Sequence, residues 1–262
     1  MEEYANLRLE RDHRGVARLE LNRPGKHNAL SDALIDDLRK AAAVLAGDDS
    51  VRVVILAAAG KMFCAGGDLG WLKEQGEKDG RRGIAQAIDL AHLLDELDRL
   101  PKPLIGRIQG DAFGGGVALM AVCDAVIAAE GARFAFPETR IGLLPAIIAP
   151  YVVRRIGEGR ARRLFMSGKS FDARQALEMG LVSAVSMGDL DALVEAEVEN
   201  YLACAPGAVA EAKALCLRVA QDHGPGISEW TVTRLADRWE SDEAREGIRC
   251  FFAGERPAWA KT

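Results

Sequence analysis

Three consecutive glycines, Gly114 to Gly116, open the run "AFGGGVALMAVCDAV" (Ala112 to Val126), which otherwise has the composition of a buried helix. Each glycine in an element interior costs roughly 0.5–1 kcal/mol relative to alanine. What the bare backbone offers in return is access: a ligand oxygen can come within hydrogen-bonding distance of N–H groups that no side chain covers. A second glycine turn, Gly66 and Gly67 in "CAGGDL", also follows an apolar strand-like run. Two N–H groups, from Gly67 and Gly115, could converge on one oxygen and stabilise a developing oxyanion or enolate. Tight turns and close packing are the other reading of the same glycines. Neither G-x-G-x-x-G nor G-x-x-x-x-G-K-[ST] is present, so a phosphate loop fits less well.

Other reactive side chains read more plainly. His27 and His92 suit surface or packing roles, the latter in a helix with Asp95 and Asp98. The five cysteines are odd in number and lack C-x-x-C spacing, so neither a metal site nor a disulfide framework is expected. Cys64 and Cys123 read as buried, inert thiols.

The elements that must position the glycines follow from periodicity. "LRLERDHRGVARLELNRP" is a hairpin turning at Asp12 to Gly15. Ser31 caps a helix with Leu34, Ile35, Leu38 and Ala42 on one face, ending at Gly47. Val51 to Ala58 is a buried strand. "WLKEQGEKDGRRG" marks a mobile loop, and "IAQAIDLAHLLDELDRL" a helix stopped by Pro101 and Pro103. "LIGRIQG" is a strand leading into the glycine triplet, followed by strands at "AVIAA" and "ARFAF". Strand, glycine turn and helix start thus occur twice, a repeat of about 50 residues expected of stacked layers. From about Asp172 the strands fade and the remainder reads as helices.

With 262 residues, 49% apolar and 28% charged, the chain has a globular composition. Its net charge of −5, with basic clusters broken by glycine and glutamate, argues against nucleic acid. No apolar leader or span of eighteen apolar residues occurs, which predicts no membrane partner and a reduced, cytoplasmic setting.

Five ordered blocks, "LNRPGKHNALS", "FCAGGDL", "GDAFGGGVALMAVCDAVIA", "ARFAFPETRIGLLP" and "GKSFDARQALEMGLVSAV", resemble the signatures of the enoyl-CoA hydratase/isomerase (crotonase) superfamily. The tail "GIRCFFAGERPAW" is similar to that family's C-terminus. The resemblance implies an α/β fold, a spiral of ββα turns over residues 1–196 with a helical trimerisation region over 197–262. It implies a homotrimer or dimer of trimers. It also implies an acyl-CoA thioester substrate, with coenzyme A present as part of that substrate, no separate cofactor and no metal. The thioester oxygen would be held by the N–H groups of Gly67 and Gly115. Ala29, Ala65, Asp68 and Leu69 fall in the blocks that would line the substrate, with Arg23 and Lys26 as cations for its phosphates. Asp68 could also cap the element that follows it.

Hydration in that family commonly uses two glutamates. The second is present here as Glu138, but the first position is Ala118. One carboxylate permits a double-bond shift, as in the Δ3,Δ2-enoyl-CoA isomerase branch, or proton relay between water and Cα if other groups hold the water. The segment "PAIIAP" resembles the branched-glutaconyl-CoA hydratases, whose substrates carry a second carboxylate that Arg140 could meet. Ala146 stands where dienoyl-CoA isomerases carry a further acid. A degenerate member that binds acyl-CoA without catalysis is the remaining alternative.

Overall fold

A computed structural model of the chain describes residues 4–68, 81–222, 224 and 226–260. In chain order the elements begin β1 (Leu7–Arg11), β2 (Val16–Leu21), α1 (Asp32–Gly47), β3 (Val53–Ala58), α2 (Arg81–Asp98) and β4 (Leu104–Ile108). Then come β5 (Ala112–Phe113), α3 (Gly115–Ala121), β6 (Ala125–Ala129), β7 (Arg133–Ala135), α4 (Ala149–Ile156) and α5 (Glu158–Ser167). The rest is β8 (Phe171–Asp172), α6 (Ala173–Glu178), β9 (Ala184–Ser186), α7 (Leu190–Leu202), α8 (Pro206–Gln221), α9 (Ile227–Trp239) and α10 (Asp242–Ala253).

The hairpin forms as expected: Leu7 faces Leu21 and Leu9 faces Leu19 across an antiparallel pair. Every later pairing in the six-stranded sheet β1-β2-β3-β4-β6-β9 is parallel. Parallel strands are covered on both faces, which is why β3 is a continuous apolar run rather than an alternating one. One face, with Val54 and Leu56, packs with α1 and α3 in the main core. The other, with Val53, Ile55 and Ala57, packs against Leu190, Val194, Val198 and Leu202 of α7. Ser31 caps α1 by accepting the Leu34 N–H. No described helix is long and apolar enough to cross a membrane.

The internal repeat has a structural counterpart. Ile55 pairs with Ile105 across β3 and β4, so one spiral turn carries the chain about one repeat forward onto its own neighbour. Beyond the sheet the turns stay in step: Leu30 bridges Gly67, Cys64 bridges Ala112, and Ala112 pairs with Phe134. This is the expected α/β spiral of layered turns.

One expectation needs adjustment. The strands do not end near Asp172: β9 supplies the sheet's last strand beside β6, with Ile127 paired to Ala184. Three residues among helices carry too short a pattern to read as a strand. Residue 196 falls inside α7, which packs on the sheet through its whole length, and the helix-only region begins after Leu202. The stretch expected as a mobile loop lies mostly outside the described residues.

Candidate active site

Each glycine of the triplet meets a different neighbour. Gly114 has φ +49°, and a Cβ there would stand 2.7 Å from Glu138 Oε1. A Cβ on Gly115 would meet Leu30 Cδ1 at 2.7 Å, and one on Gly116 would meet the Cys64 carbonyl oxygen at 2.4 Å. The glycines therefore let the second glycine turn press against the first and against a carboxylate. Gly66, with φ +87°, completes the contact: a Cβ on it would lie 2.7 Å from the Phe113 carbonyl oxygen and 3.6 Å from the Gly115 nitrogen.

Backbone hydrogen bonds fix this arrangement. The Leu30 N–H donates to Gly66 (2.7 Å) and the Asp68 N–H to Leu30 (3.0 Å). This bridge to Leu30 uses the Gly66 carbonyl and the Asp68 N–H, and the Gly67 N–H takes no part in it. The Phe113 N–H donates to Cys64 (3.0 Å) and the Gly114 N–H to Ala135 (3.0 Å). Gly115 is the first residue of α3, where the N–H has no intrahelical acceptor.

Glu138 begins a short 3-10 turn, Glu138–Ile141, closed by the Leu143 N–H donating to the Glu138 carbonyl (2.9 Å). The Thr139 hydroxyl holds the turn to α5 through the Phe165 carbonyl (2.8 Å). Beneath it Phe136 packs edge-on against Phe165 at 4.8 Å between ring centroids. The carboxylate is thus carried on a rigid aromatic base and turned toward Gly114. Its Oε2 is buried without a hydrogen-bond partner among the described residues. Burial raises its pKa above the ordinary glutamate value, against a smaller opposing effect of its own backbone N–H. A carboxyl group so placed is a better proton carrier near neutrality than a solvated one.

Ala118, one turn into α3, is fully buried in the main core. Ala29 is buried and Ala65 half-buried, the latter donating its N–H to the His27 carbonyl (3.0 Å). Lys26 is exposed on the 3-10 turn Pro24–Lys26. Arg23 is not offered to solvent: it donates to the Ala29 carbonyl (2.6 Å) and lies 3.4 Å from Asp68 Oδ2. Arg23 and Asp68 brace one glycine turn against the loop before α1. Whether Asp68 also caps a following element, and the place of Leu69, lie outside the described residues. Arg140 lies across Gly168, where a Cβ would meet its Cγ at 2.9 Å, at the end of α5.

Asn28 was not singled out by its sequence context. It is buried with φ +52°, accepts the Arg23 N–H (2.9 Å), and donates to the carbonyls of Ala59 (2.9 Å) and Met62 (3.0 Å). An asparagine tolerates this left-handed backbone, and that tolerance is the only signal its sequence carried. His27 and His92 are exposed. Burial pushes the thiols of Cys64 and Cys123 up to about 12, which leaves both unreactive. Among the described residues no group of three His, Cys, Asp or Glu is placed to hold a metal ion.

The enoyl-CoA hydratase/isomerase family model matches residues 11–262. The chain belongs to that family. It is similar to an enoyl-CoA hydratase from Shewanella pealeana, 34% identical with a TM-score of 0.94, covering 98% of this chain and 97% of that one. Pseudomonas aeruginosa AtuE is 36% identical with a TM-score of 0.94, covering 98% and 100%. The 2,3-dehydroadipyl-CoA hydratase of Escherichia coli is 32% identical over 92% of this chain and 94% of its own length. An enzyme of the hydratase/isomerase family, a lyase or an isomerase, is therefore established.

Proposed function

We propose that this family member hydrates an α,β-unsaturated acyl-CoA through an enolate whose oxygen is held by the N–H groups of Gly67 and Gly115. The observation that carries the reading is the half-buried Glu138 side chain, whose buried Oε2 has no hydrogen-bond partner among the described residues and which faces the backbone that presents Gly115. Coenzyme A enters as the substrate's own handle, with exposed Lys26 available to a phosphate. Glu138 takes a proton from water as the water oxygen bonds to Cβ. The Cα=Cβ electrons move onto the thioester oxygen, where two N–H donors stabilise the charge. Glu138 then returns the proton to Cα, so water is added overall and the carboxylate is regenerated.

Ala118 supports a second reading. An apolar, fully buried residue replaces the group that would help orient water, and a Δ3,Δ2 double-bond shift needs only one proton carrier. Turnover in 18O-labelled water separates the two: hydration places the label at Cβ and isomerisation places none. A branched, glutaconyl-like acyl group is the finer substrate expectation. It is supported by the "PAIIAP" segment and by the dicarboxylic acyl group in the name of the Escherichia coli relative. Arg140 would have to leave Gly168 to meet a second carboxylate. Assembly as a trimer or dimer of trimers, in the cytoplasm, belongs to the same reading.

Glu138→Gln tests it. The amide keeps the shape and loses the basicity, so turnover should fall at least 10²–10⁴-fold. Acyl-CoA affinity, measured by calorimetry, should change little. Wild-type turnover in this variant would overturn the reading. A native chain that binds acyl-CoA but neither hydrates nor isomerises a panel of enoyl-CoAs would instead be a binding protein.

A further inference from the structure

Most described surface arginines rest against an acid. Arg39 lies 2.8 Å from Glu96, Arg107 2.6 Å from Asp191, Arg162 3.0 Å from Glu158, and Arg174 2.6 Å from Glu130. Three cations on the α5–α6 side break that pattern. Arg160 and Arg163 on α5 and Lys169 in the turn after it line one cavity of about 230 Å³, and none of them forms an ion pair among the described residues. Glu178 is the only acid in its wall, so three positive charges face one negative charge in a chain whose net charge is −5.

The remaining polar side chains of the lining are Gln175 and Ser170, beside apolar Leu164, Phe171 and Met179. Gln175 uses its Oε1 to accept the Asp172 N–H (3.2 Å), which leaves its amide NH₂ available. Ser170 adds a hydroxyl. Arg160 gives one N–H to the Met179 carbonyl (3.2 Å), which orients its guanidinium and leaves further N–H groups. The floor is firm: Phe171 stacks against Phe134 at 5.7 Å and Phe136 at 5.9 Å between ring centroids.

From this geometry we infer a binding site for a phosphoryl dianion, either free phosphate or the phosphate of a small phosphomonoester. A single carboxylate is served by one arginine fork. A phosphoryl group offers oxygens on several sides and two charges, matching donors that arrive from α5, the following turn and α6. The cavity volume holds such a group with a few further atoms. The site is independent of Glu138 and of the acyl-CoA reading.

Calorimetric titration with inorganic phosphate and with glycerol 3-phosphate, at ionic strength fixed with sodium chloride, tests it. Saturable one-to-one binding is expected, weakened at least tenfold in Arg163→Ala/Lys169→Ala, with enoyl-CoA turnover unchanged in that variant. Saturation by phosphate itself identifies the free anion as sufficient, and saturation by glycerol 3-phosphate alone identifies a phosphomonoester. Should the double variant fold poorly, Lys169→Met, at an exposed turn position, should still weaken binding several-fold. Binding that never saturates, that acetate reproduces, or that both variants leave unchanged would overturn the assignment.

Discussion

α1 and α8 each have sixteen residues, but α1 buries six side chains between Leu34 and Leu45 while α8 buries none in the single chain. α9 also buries none, and α10 buries only Cys250. Trp239 is 63% exposed, Phe251 80% and Phe252 83%. Exposed apolar surface of this kind is what the proposed assembly would cover. The spiral that carries Glu138 has a continuous core within one chain, even though Ile141, Leu144, Met166 and Met187 are exposed on it, whereas no described tail residue joins that core. Polar ties still hold the tail in place: Glu243 accepts the Gly207 N–H (3.0 Å), and Arg52 donates to the carbonyls of Leu202 (3.1 Å) and Cys204 (2.8 Å). The site's rigidity should therefore be intrinsic, and the tail's value should show in assembly.

The sharpest way to break that contrast is inside the spiral. Gly115→Pro removes the N–H proposed to hold the thioester oxygen. Losing one such donor costs about 2.7–4 kcal/mol of transition-state stabilisation, so kcat should fall roughly 10²–10³-fold. Gly115→Ala keeps the N–H and asks only that the Leu30 side chain shift, so it should retain far more activity. A folded Gly115→Pro enzyme with unchanged kcat removes the assignment.

The next effect is on stability. A methyl on Gly116 must displace the backbone of Cys64, since it would stand 2.4 Å from that carbonyl oxygen. Overpacking of this sort costs about 1–3 kcal/mol, or roughly 2–12 °C in Tm for a domain of this size. Gly159→Ala, in α5 with nothing within 4 Å, should instead stabilise slightly. Equal and small shifts from both would mean the loops are not pressed together as described.

In the tail the same logic predicts little cost to the chain and a large change in assembly. Phe251→Ser with Phe252→Ser removes exposed apolar surface, and surface changes are usually within about 0.5 kcal/mol for the isolated fold. Light scattering should find the native protein larger than a monomer and the double variant shifted toward monomer. A native protein already monomeric at micromolar concentration would refute the proposed role of this surface.

Much of the spiral was legible because its strands differ from its helices in period and because its turns repeat. The offset from Ile55 to Ile105 is the repeat read directly as pairing. The glycine triplet announced close approach, but which neighbour each glycine meets depends on layers brought together from distant sequence. Gly114 beside Glu138 is of this kind. Arg23 and Arg140 show the limit more plainly. A cation's sequence position does not say which acceptor it will reach, and these two turn to Ala29 with Asp68 and to Gly168. β9 was hidden because its strand character lies in its pairing with β6 and not in its own three residues.

The smallest effect expected is thermodynamic, and it tests the site without any substrate. Burial raises the Glu138 pKa above its ordinary value, so the folded protein disfavours the charged form. Between the unfolded and folded pKa values the native state holds a proton that the unfolded chain has released, and stability declines as pH rises through that window. Above it the charged carboxylate is retained at a constant cost. Glu138→Gln has no such charge, so it should match the native protein at acid pH, where both side chains are neutral, and exceed it at neutral pH. Because Glu138 is only half-buried, solvent screens much of the penalty, and only a small gain in Tm is expected at pH 7–8. A gap of the same size at pH 4 and pH 8 would trace the change to packing and would leave the carboxylate's desolvation without support. A gap that opens as pH rises would locate, in the folded enzyme itself, the raised pKa that the proposed proton transfer requires.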